Sequence, residues 1–502
     1  MKLFELLQIL PEFKNVSEYA RTTEVRTLTV SSQKAQYGDV FVAIRGSKVD
    51  GHNHLQEAIQ NGVCAVVVES PDKVPTSFSG FIQVVANSRE ALDLLASQYF
   101  EHPSKSMLMF GVTGTNGKTS TTYMLEHVFN ELRMPTGVLG TINHHLQNKV
   151  WSTEMTTPGP IELQSRLAEM KNEGARLVAM EVSSHALHQH RADGVHYNTV
   201  LFTNLTRDHL DYHQSMENYH QAKQRLFTDL LWSSSKKPVF AIVNRDDEYG
   251  RQMRVCSEAV IWTYGQDPHA DYSFELLQMN FSRIVFKLKS PFGNFEGILP
   301  SSGKHNLYNA VGVIAAAASL GVPPASALEK LATFKGVPGR LQQVETETRY
   351  HVFVDYAHTP DALENVLKSL DQVRKETGST AKIWTLFGCG GDRDKGKRPV
   401  MAQIACQYSD EVIVTSDNPR TEEPAAIIAD ILVGIDKDTR AAKVRVEANR
   451  RKAIELALLS MEPTDVLLIA GKGHEDYQII GTEKQPFSDY LIAQEILRGI
   501  KS

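Results

Sequence analysis

The stretch 109-MFGVTGTNGKTSTTY-123 is an apolar run that enters a Gly-rich turn and leaves it as a helix. The turn Gly114-Thr115-Asn116-Gly117 can expose several backbone N–H groups. Lys118 adds a point charge suited to β/γ-phosphates, and Thr119 and Ser120 bring hydroxyls to the start of the helix, where Thr119 can meet Mg²⁺. The strict phosphate-loop pattern wants Gly where Val112 stands, so this loop is a variant. The competing reading is an ordinary strand-turn-helix junction, but that leaves the placement of Gly-Lys-Thr at the helix start unexplained.

Helices and strands alternate downstream of the loop, in TYMLEHVFNEL, TGVLGTI, IELQSRLAEMKNEG, RLVAMEVSS and NTVLFTNL. This rhythm predicts a parallel sheet with crossover helices. Ligands in such sheets collect at the carboxyl ends of the strands, where Glu181, Ser183, Ser184, His185, Asn204, Asp208, His209, Asp211 and His213 fall. Glu181 follows the apolar run LVAM, and its carboxylate suits a divalent ion beside phosphates, directly or through a neighbour. Lys223 lies in the amphipathic run NYHQAKQRLF, where spacing alone reads as a solvated lysine.

Upstream, residues 1–88 alternate helix and strand as a small α/β unit, and 89–338 carry the phosphate loop. Residues 270–300 alternate apolar and polar with Gly and Pro breaks, which predicts a β-meander. Asn306 and Asn309 stand one turn apart near the start of a small-residue helix. They can clamp an adenine edge, or Asn306 can cap the helix. The run GVPGR marks a boundary near 338. Beyond it, 339–502 alternates strands and helices as a doubly wound sheet. Its polar strand ends carry Asp355, Arg393, Asp417-Asn418-Pro419-Arg420 and Gly471-Lys472-Gly473-His474-Glu475. Gly-Cys-Gly-Gly at 388–391 does not open a helix as GxGxxG would, which disfavours a dinucleotide fingerprint.

The 502 residues are 42% hydrophobic and 22% charged, material for about three domains of ~100–200 residues each. A balance of 53 basic against 59 acidic residues, net −6, recommends neither nucleic acid nor an anionic membrane as partner. Cys64, Cys256, Cys389 and Cys406 are widely spaced, without zinc-ligand spacing, and suit a reducing compartment. No run approaches ~18 uninterrupted apolar residues and no cleavable leader is evident, so a cytoplasmic protein without a membrane span is expected.

Together VTGTNGKTS, TTPGP (156–160), EVSSHAL (181–187), FTNLTRDHLDYH (202–213), YHQAKQRLF (219–227), GKHNLYNA, GVPGRLQ, VDYAHTPDAL, GCGGDRDKGKRP, SDNPRTEEP and AGKGHE resemble the Mur ligase family of bacterial cell-wall synthesis. The resemblance spans nearly the whole chain and is to the branch that adds the third amino acid. It implies an α/β fold of three domains: an N-terminal UDP-binding domain (1–88), a central ATPase domain of P-loop type with a parallel sheet (89–338), and a C-terminal Rossmann-like doubly wound domain for the amino acid (339–502). It implies that ATP phosphorylates the carboxylate of UDP-MurNAc-L-Ala-D-Glu and that the amine of meso-diaminopimelate displaces the phosphate.

By the same resemblance, Gly114, Thr115, Asn116, Gly117, Lys118, Thr119 and Ser120 bind the phosphates. Thr119 and Glu181 hold one Mg²⁺, and Glu181, His209 and a carbamylated Lys223 hold another. Asn306, Asn309, Arg340 and Asp355 serve the nucleotide. Thr156, Thr157, Ser183, Gln189 and Arg191 hold the sugar-dipeptide. Where the family shows Asp-Ser-Arg near the uridine, this chain has Ser31-Ser32-Gln33, and Ser32 alone carries over. Arg393, Asp417, Asn418, Pro419, Arg420, Gly471 and Glu475 are implied for diaminopimelate. The expected form is a monomer. The alternatives are an L-lysine-adding or folylpolyglutamate synthetase-like ligase of the same fold, and a regulatory P-loop ATPase without ligase chemistry.

Overall fold

Short apolar runs near the N-terminus pair as a four-stranded parallel sheet, β1 (Leu28–Thr29), β2 (Val40–Val42), β3 (Ala65–Val68) and β4 (Phe81–Val84). Alternate side chains of β2 and β3 enter two separate clusters. Val40, Val42, Ala65 and Val67 pack on one, and Phe41, Val66 and Val68 on the other. Both faces are thus covered, as a parallel sheet requires. The sequence reading has no strand at β4; as the edge strand it buries Phe81 and leaves Ile82 and Val84 exposed, a weaker apolar signal. The computed structural model describes residues 1–14, 17–46, 49–346 and 350–500.

The next strands are β5 (Leu108–Thr113), β6 (Thr136–Leu139), β7 (His144–Leu146), β8 (Lys149–Trp151), β9 (Leu177–Glu181), β10 (Thr199–Phe202), β11 (Val239–Asn244) and β12 (Ala259–Gly265). They order as β12-β11-β10-β5-β9-β6-β7-β8. The decisive strand β5 runs parallel to β9 on one side and β10 on the other, so chain connections diverge around its carboxyl end. Helix Lys118–Glu131 buries Thr121, Thr122, Met124, Leu125, Val128 and Phe129, an i, i+3, i+4, i+7 stripe. The hairpin β7–β8 is absent from the sequence reading, its strands being three residues each and half polar.

The expected meander is present as β13 (Tyr272–Met279), β14 (Ile284–Ser290) and β15 (Gly293–Leu299), all antiparallel. The C-terminal sheet contains β16 (Gln342–Gln343), β17 (His351–Asp355), β18 (Ile383–Phe387), β19 (Glu411–Val414), β20 (Val444–Val446) and β21 (Val466–Ala470), ordered β16-β17-β21-β18-β19-β20. All its pairings are parallel except β16–β17. A final hairpin, β22 (Tyr477–Ile480) with β23 (Glu483–Pro486), stands apart from that sheet. The chain forms two compact units, Met1–Tyr272 with Gly312–Pro324, and Ser273–Val311 with Ala325–Ser502.

Candidate active site

In the first unit, β5 ends at Thr113 and the loop turns through Gly114, with φ +152°, and Gly117, with φ +89°. A Cβ at Gly114 would lie 1.9 Å from Thr203 Oγ1, so the loop passes β10 too closely for any side chain. Gly117 sits at the N-cap of helix Lys118–Glu131, and no side chain caps that helix. Its start is an anion-binding terminus without an internal substitute. Thr115 N–H and Asn116 N–H instead donate to the carbonyl and side chain of Asn204, which pins the loop's leading half. Thr115 Oγ1 meets Tyr219 OH at 3.2 Å, and Thr119 and Ser120 lie half-buried on the helix.

Two lysines converge on one carbonyl. Lys118 Nζ donates to Gly114 O at 2.9 Å and to Thr115 O at 2.8 Å, and Lys223 Nζ donates to Gly114 O at 2.8 Å. Lys223 is 1% exposed, which corrects the solvated reading of its spacing. Burial, and secondarily the charge of Lys118, holds its amine far below the ordinary lysine pKa. The neutral amine is the form that adds CO₂.

Glu181, 1% exposed at the end of β9, accepts from Thr141 N–H and Thr141 Oγ1, each at 3.0 Å. A Cβ at Gly140 would come within 2.4 Å of its Oε1. Its two oxygens are therefore held in one orientation. His209 has φ +54° and a half-exposed ring, 4.9 Å from that of His185. Among the described residues no cluster of three or more His, Cys, Asp or Glu side chains forms a metal cage.

Glu181 continues into a second network. Thr141 Oγ1 meets Thr156 Oγ1 at 3.0 Å, Thr157 Oγ1 donates to the Glu181 carbonyl at 2.9 Å, and Ser183 N–H donates to Thr157 Oγ1 at 3.0 Å. Arg191 Nη1 donates to Thr157 O at 3.0 Å, while its Nε and Nη2 grip Gln189 Oε1. Arg191 makes no ion pair with a carboxylate among the described residues, so its charge is available to an anion. Ser183 Oγ is the N-cap acceptor of helix Ser184–His188. Ser32 lies elsewhere in this unit, at the start of the short helical turn Ser32–Lys34 that follows β1, where its hydroxyl meets Glu57 Oε2 at 2.5 Å.

In the second unit, Asn306 Nδ2 donates backward to Ser301 Oγ and Ser302 O, so its side chain is not a helix cap. Asn309, 4% exposed, has a buried amide nitrogen without a partner. Such an orphan asks for a ligand acceptor. Asp355, at the end of β17, accepts from Leu341 N–H at 2.6 Å and Ala357 N–H at 2.8 Å, and burial raises its pKa. The Arg340 guanidinium lies 5.6 Å from the Tyr356 ring centre.

Three strand ends of the same unit converge. A Cβ at Gly390 would meet Arg420 Nη1 at 2.9 Å and Arg393 Cγ at 3.7 Å, so both arginines flank this glycine. Arg420 Nη1 donates to Gly391 O and Arg393 Nη1 to Asp392 O. Neither forms an ion pair with a carboxylate among the described residues, and Glu422 is taken by Arg398 and Lys395. Glu475 Oε2 accepts from Asn418 Nδ2 at 2.9 Å and Lys472 Nζ at 3.1 Å, and Lys472 also donates to Asn418 Oδ1. A Cβ on Gly471 would come within 2.7 Å of Asp417 Oδ2. The hairpin holds Arg420 by its backbone, through Arg420 N–H to Ile479 O and Gly481 N–H to Arg420 O. Sequence reasoning gave no role to this hairpin, to Lys472 or to Arg398; the charges in GKGHE and KGKRP were visible, but their partners were not.

A phosphate-loop sheet with paired lysines, and a Rossmann-like sheet whose strand ends offer guanidinium and carboxylate together, are the pattern of a nucleotide-driven enzyme. Residues 24–100 match the Mur ligase family catalytic domain, 112–317 the Mur ligase middle domain, and 339–473 the Mur ligase glutamate ligase domain. The chain is 42% identical over 480 residues to a Geobacter metallireducens protein, covering 93% of each, and 40% identical over 502 residues to one from Thermosynechococcus vestitus, covering 99% and 98%. Both are UDP-N-acetylmuramoyl-L-alanyl-D-glutamate--2,6-diaminopimelate ligases. A solved structure of a ligase with that name aligns with TM-score 0.73 at 29% identity, covering 100% of this chain and 99% of its own. The chain belongs to the Mur ligase family: it is an ATP-dependent, amide-bond-forming ligase of three-domain α/β fold. That membership removes the reading as a regulatory ATPase.

Proposed function

We propose that this ligase joins meso-diaminopimelate to UDP-MurNAc-L-Ala-D-Glu in peptidoglycan precursor synthesis, as a cytoplasmic monomer. We assign uridine binding to 1–88, with Ser32 its contact, ATP to 89–338 and the amino acid to 339–502. The reading is carried by Arg393 and Arg420 flanking Gly390, neither ion-paired to a carboxylate among the described residues, with Glu475 held by Asn418 of the same loop as Arg420. Diaminopimelate ends in a second carboxylate and ammonium where lysine has only an ammonium. A planar guanidinium takes that carboxylate in bidentate fashion, and Glu475 with the Asp417–Arg420 loop and the Gly471 carbonyl takes the ammonium. Lysine would leave Arg420 facing a like charge.

A carboxylate is a poor electrophile until phosphorylated. The loop Gly114–Ser120, through the helix-start amides beyond the two that Asn204 engages, and the Lys118 ammonium hold the triphosphate and stabilise charge developing on the γ-phosphoryl as it passes to the substrate carboxylate. Asn306, Asn309, Arg340 and Asp355 hold the base and ribose. Thr156, Thr157, Ser183, Gln189 and Arg191 orient the acceptor dipeptide. The diaminopimelate amine then attacks the acyl carbon, the C–O bond to phosphate breaks, and amide, ADP and phosphate leave.

Thr119, Glu181, His209 and Lys223 would hold Mg²⁺, which supplies neutralisation of the phosphate and carboxylate charges. For this role Lys223 is carbamylated: its neutral amine adds CO₂, releases a proton and becomes an anion. The burial of Lys223 beside the Lys118 charge, which outweighs the opposing pull of Asp208, supports this.

Steady-state phosphate release with a panel of amino acids tests the reading. Use of L-lysine as well as diaminopimelate, or intact diaminopimelate addition by Arg420→Ala, would sink it. The expected loss for Arg420→Ala is roughly ten- to several hundred-fold in kcat/KM, the worth of a charged hydrogen bond and its stranded partner.

A further inference from the structure

The hydroxyl of Tyr212 belongs to a chain of hydrogen bonds that leads to the acceptor clamp. Gln189 Nε2 donates to Tyr212 Oη at 2.9 Å, and His188 Nδ1 lies 2.9 Å from the same oxygen. Gln189 Oε1 accepts from Arg191 Nε at 3.1 Å and Nη2 at 2.6 Å, and Arg191 Nη1 reaches Thr157 O. A guanidinium only donates, so the amide oxygen of Gln189 must face Arg191 and its nitrogen must face Tyr212. The phenolic oxygen accepts that bond, and a second hydrogen bond joins it to His188 Nδ1.

The phenol ring is fixed as well. It stacks on His185 at 4.2 Å and 37°, and meets His213 edge-on at 4.8 Å. His213, 4% exposed, is tied to Ser184 Oγ at 3.0 Å. The Tyr212 N–H donates to the His209 carbonyl at 3.2 Å, a backbone bond that does not involve the hydroxyl.

We infer that Tyr212 is a positioning residue for the acceptor substrate: its hydroxyl holds the Gln189 amide, which in turn holds the Arg191 guanidinium toward the anionic UDP-MurNAc-dipeptide. This rests on the proposed role of Gln189 and Arg191. Without the hydroxyl, the Gln189 nitrogen loses its acceptor and the amide turns about its terminal torsion, releasing two of Arg191's bonds. A phenyl ring keeps the stack on His185 and His213.

Tyr212→Phe should therefore raise KM for UDP-MurNAc-L-Ala-D-Glu by about 5- to 20-fold, a hydrogen bond's worth, and leave kcat and the KM values for ATP and diaminopimelate within about twofold. Gln189→Ala should raise the same KM, and the double variant should be no worse than Gln189→Ala alone. Calorimetric binding of the UDP-dipeptide without ATP should show the same weakening. An unchanged acceptor KM in Tyr212→Phe, a double variant in which the two losses add, or an equal rise in KM for ATP would each overturn the inference. An unchanged acceptor KM in Gln189→Ala would instead overturn the reading of the clamp itself.

Discussion

Lys223 is the residue at which burial changes the chemistry. An exposed lysine is a cation; burial to 1% exposure and the neighbouring Lys118 charge, against a smaller opposing pull from Asp208, drive the Lys223 pKa well down toward the amine. Lys223→Ala should be nearly inactive, and short carboxylic acids should restore part of its turnover by supplying the missing anion. Full activity without rescue would return Lys223 to a packing role. Lys118→Ala should abolish phosphate release, a transition-state deficit of several kcal/mol, with an unchanged melting curve. At Gly114, Ala would have to adopt φ +152° and to place its Cβ 1.9 Å from Thr203 Oγ1. Gly114→Ala should distort the loop and lose nucleotide affinity, read by fluorescent-nucleotide titration, while circular dichroism stays native.

Single elements of the C-terminal sheet owe their placement to buried arginine forks. Arg450, fully buried, is bidentate to Asp489 at 2.8 and 2.7 Å and also donates to the carbonyls of Ser416 and Ala470. Those carbonyls immediately precede Asp417 and Gly471, so one side chain ties together the ends of β19 and β21. Arg450→Met strands the Asp489 carboxylate and should destabilise by about 3–5 kcal/mol, measured by urea unfolding. Arg398 acts likewise on the loop after β18, through Glu422, Asp430 and the Gly390 carbonyl. Its hydrogen bonds, with the Asp392 N–H next, pull the Glu422 carboxyl down to about 2. A carboxyl depressed in the folded state contributes stability above its unfolded pKa and loses it as pH falls. The stability gap between wild type and Glu422→Gln should hold above about pH 5 and shrink from there toward pH 2.

On the scale of the whole molecule, the chain divides between two compact units, and separate buried clusters such as those of Met109 with Phe202 and of Val352 with Leu467 lie in different units. Unfolding should not be two-state: the calorimetric enthalpy should exceed the van't Hoff value. Arg450→Met should lower one component of the thermal transition and leave the other in place. One coincident transition, moved as a whole by Arg450→Met, would show that the units unfold together.

The sequence by itself determined the strand-loop-helix at 109–123, the parallel rhythm around it and the family to which the chain belongs. Each of these is written locally, in hydrophobic period, in glycines that backbone geometry requires, and in short polar motifs at strand ends. The edge strand β4 and the hairpins β7–β8 and β22–β23 were not legible, because short, half-exposed strands owe their pairing to neighbours rather than to their own composition. Tertiary structure alone decided which charges have partners. The spacing of Lys223 reads as a surface lysine, and only the fold seals it against Gly114. Tyr212 and Gln189 lie on separate elements, and their hydrogen bond exists only because helices Ser184–His188 and Leu210–His213 follow β9 and β10, the two strands that flank β5. Periodicity records which face of an element is covered; the pairing of polar groups depends on distances between elements, which no single stretch of sequence contains.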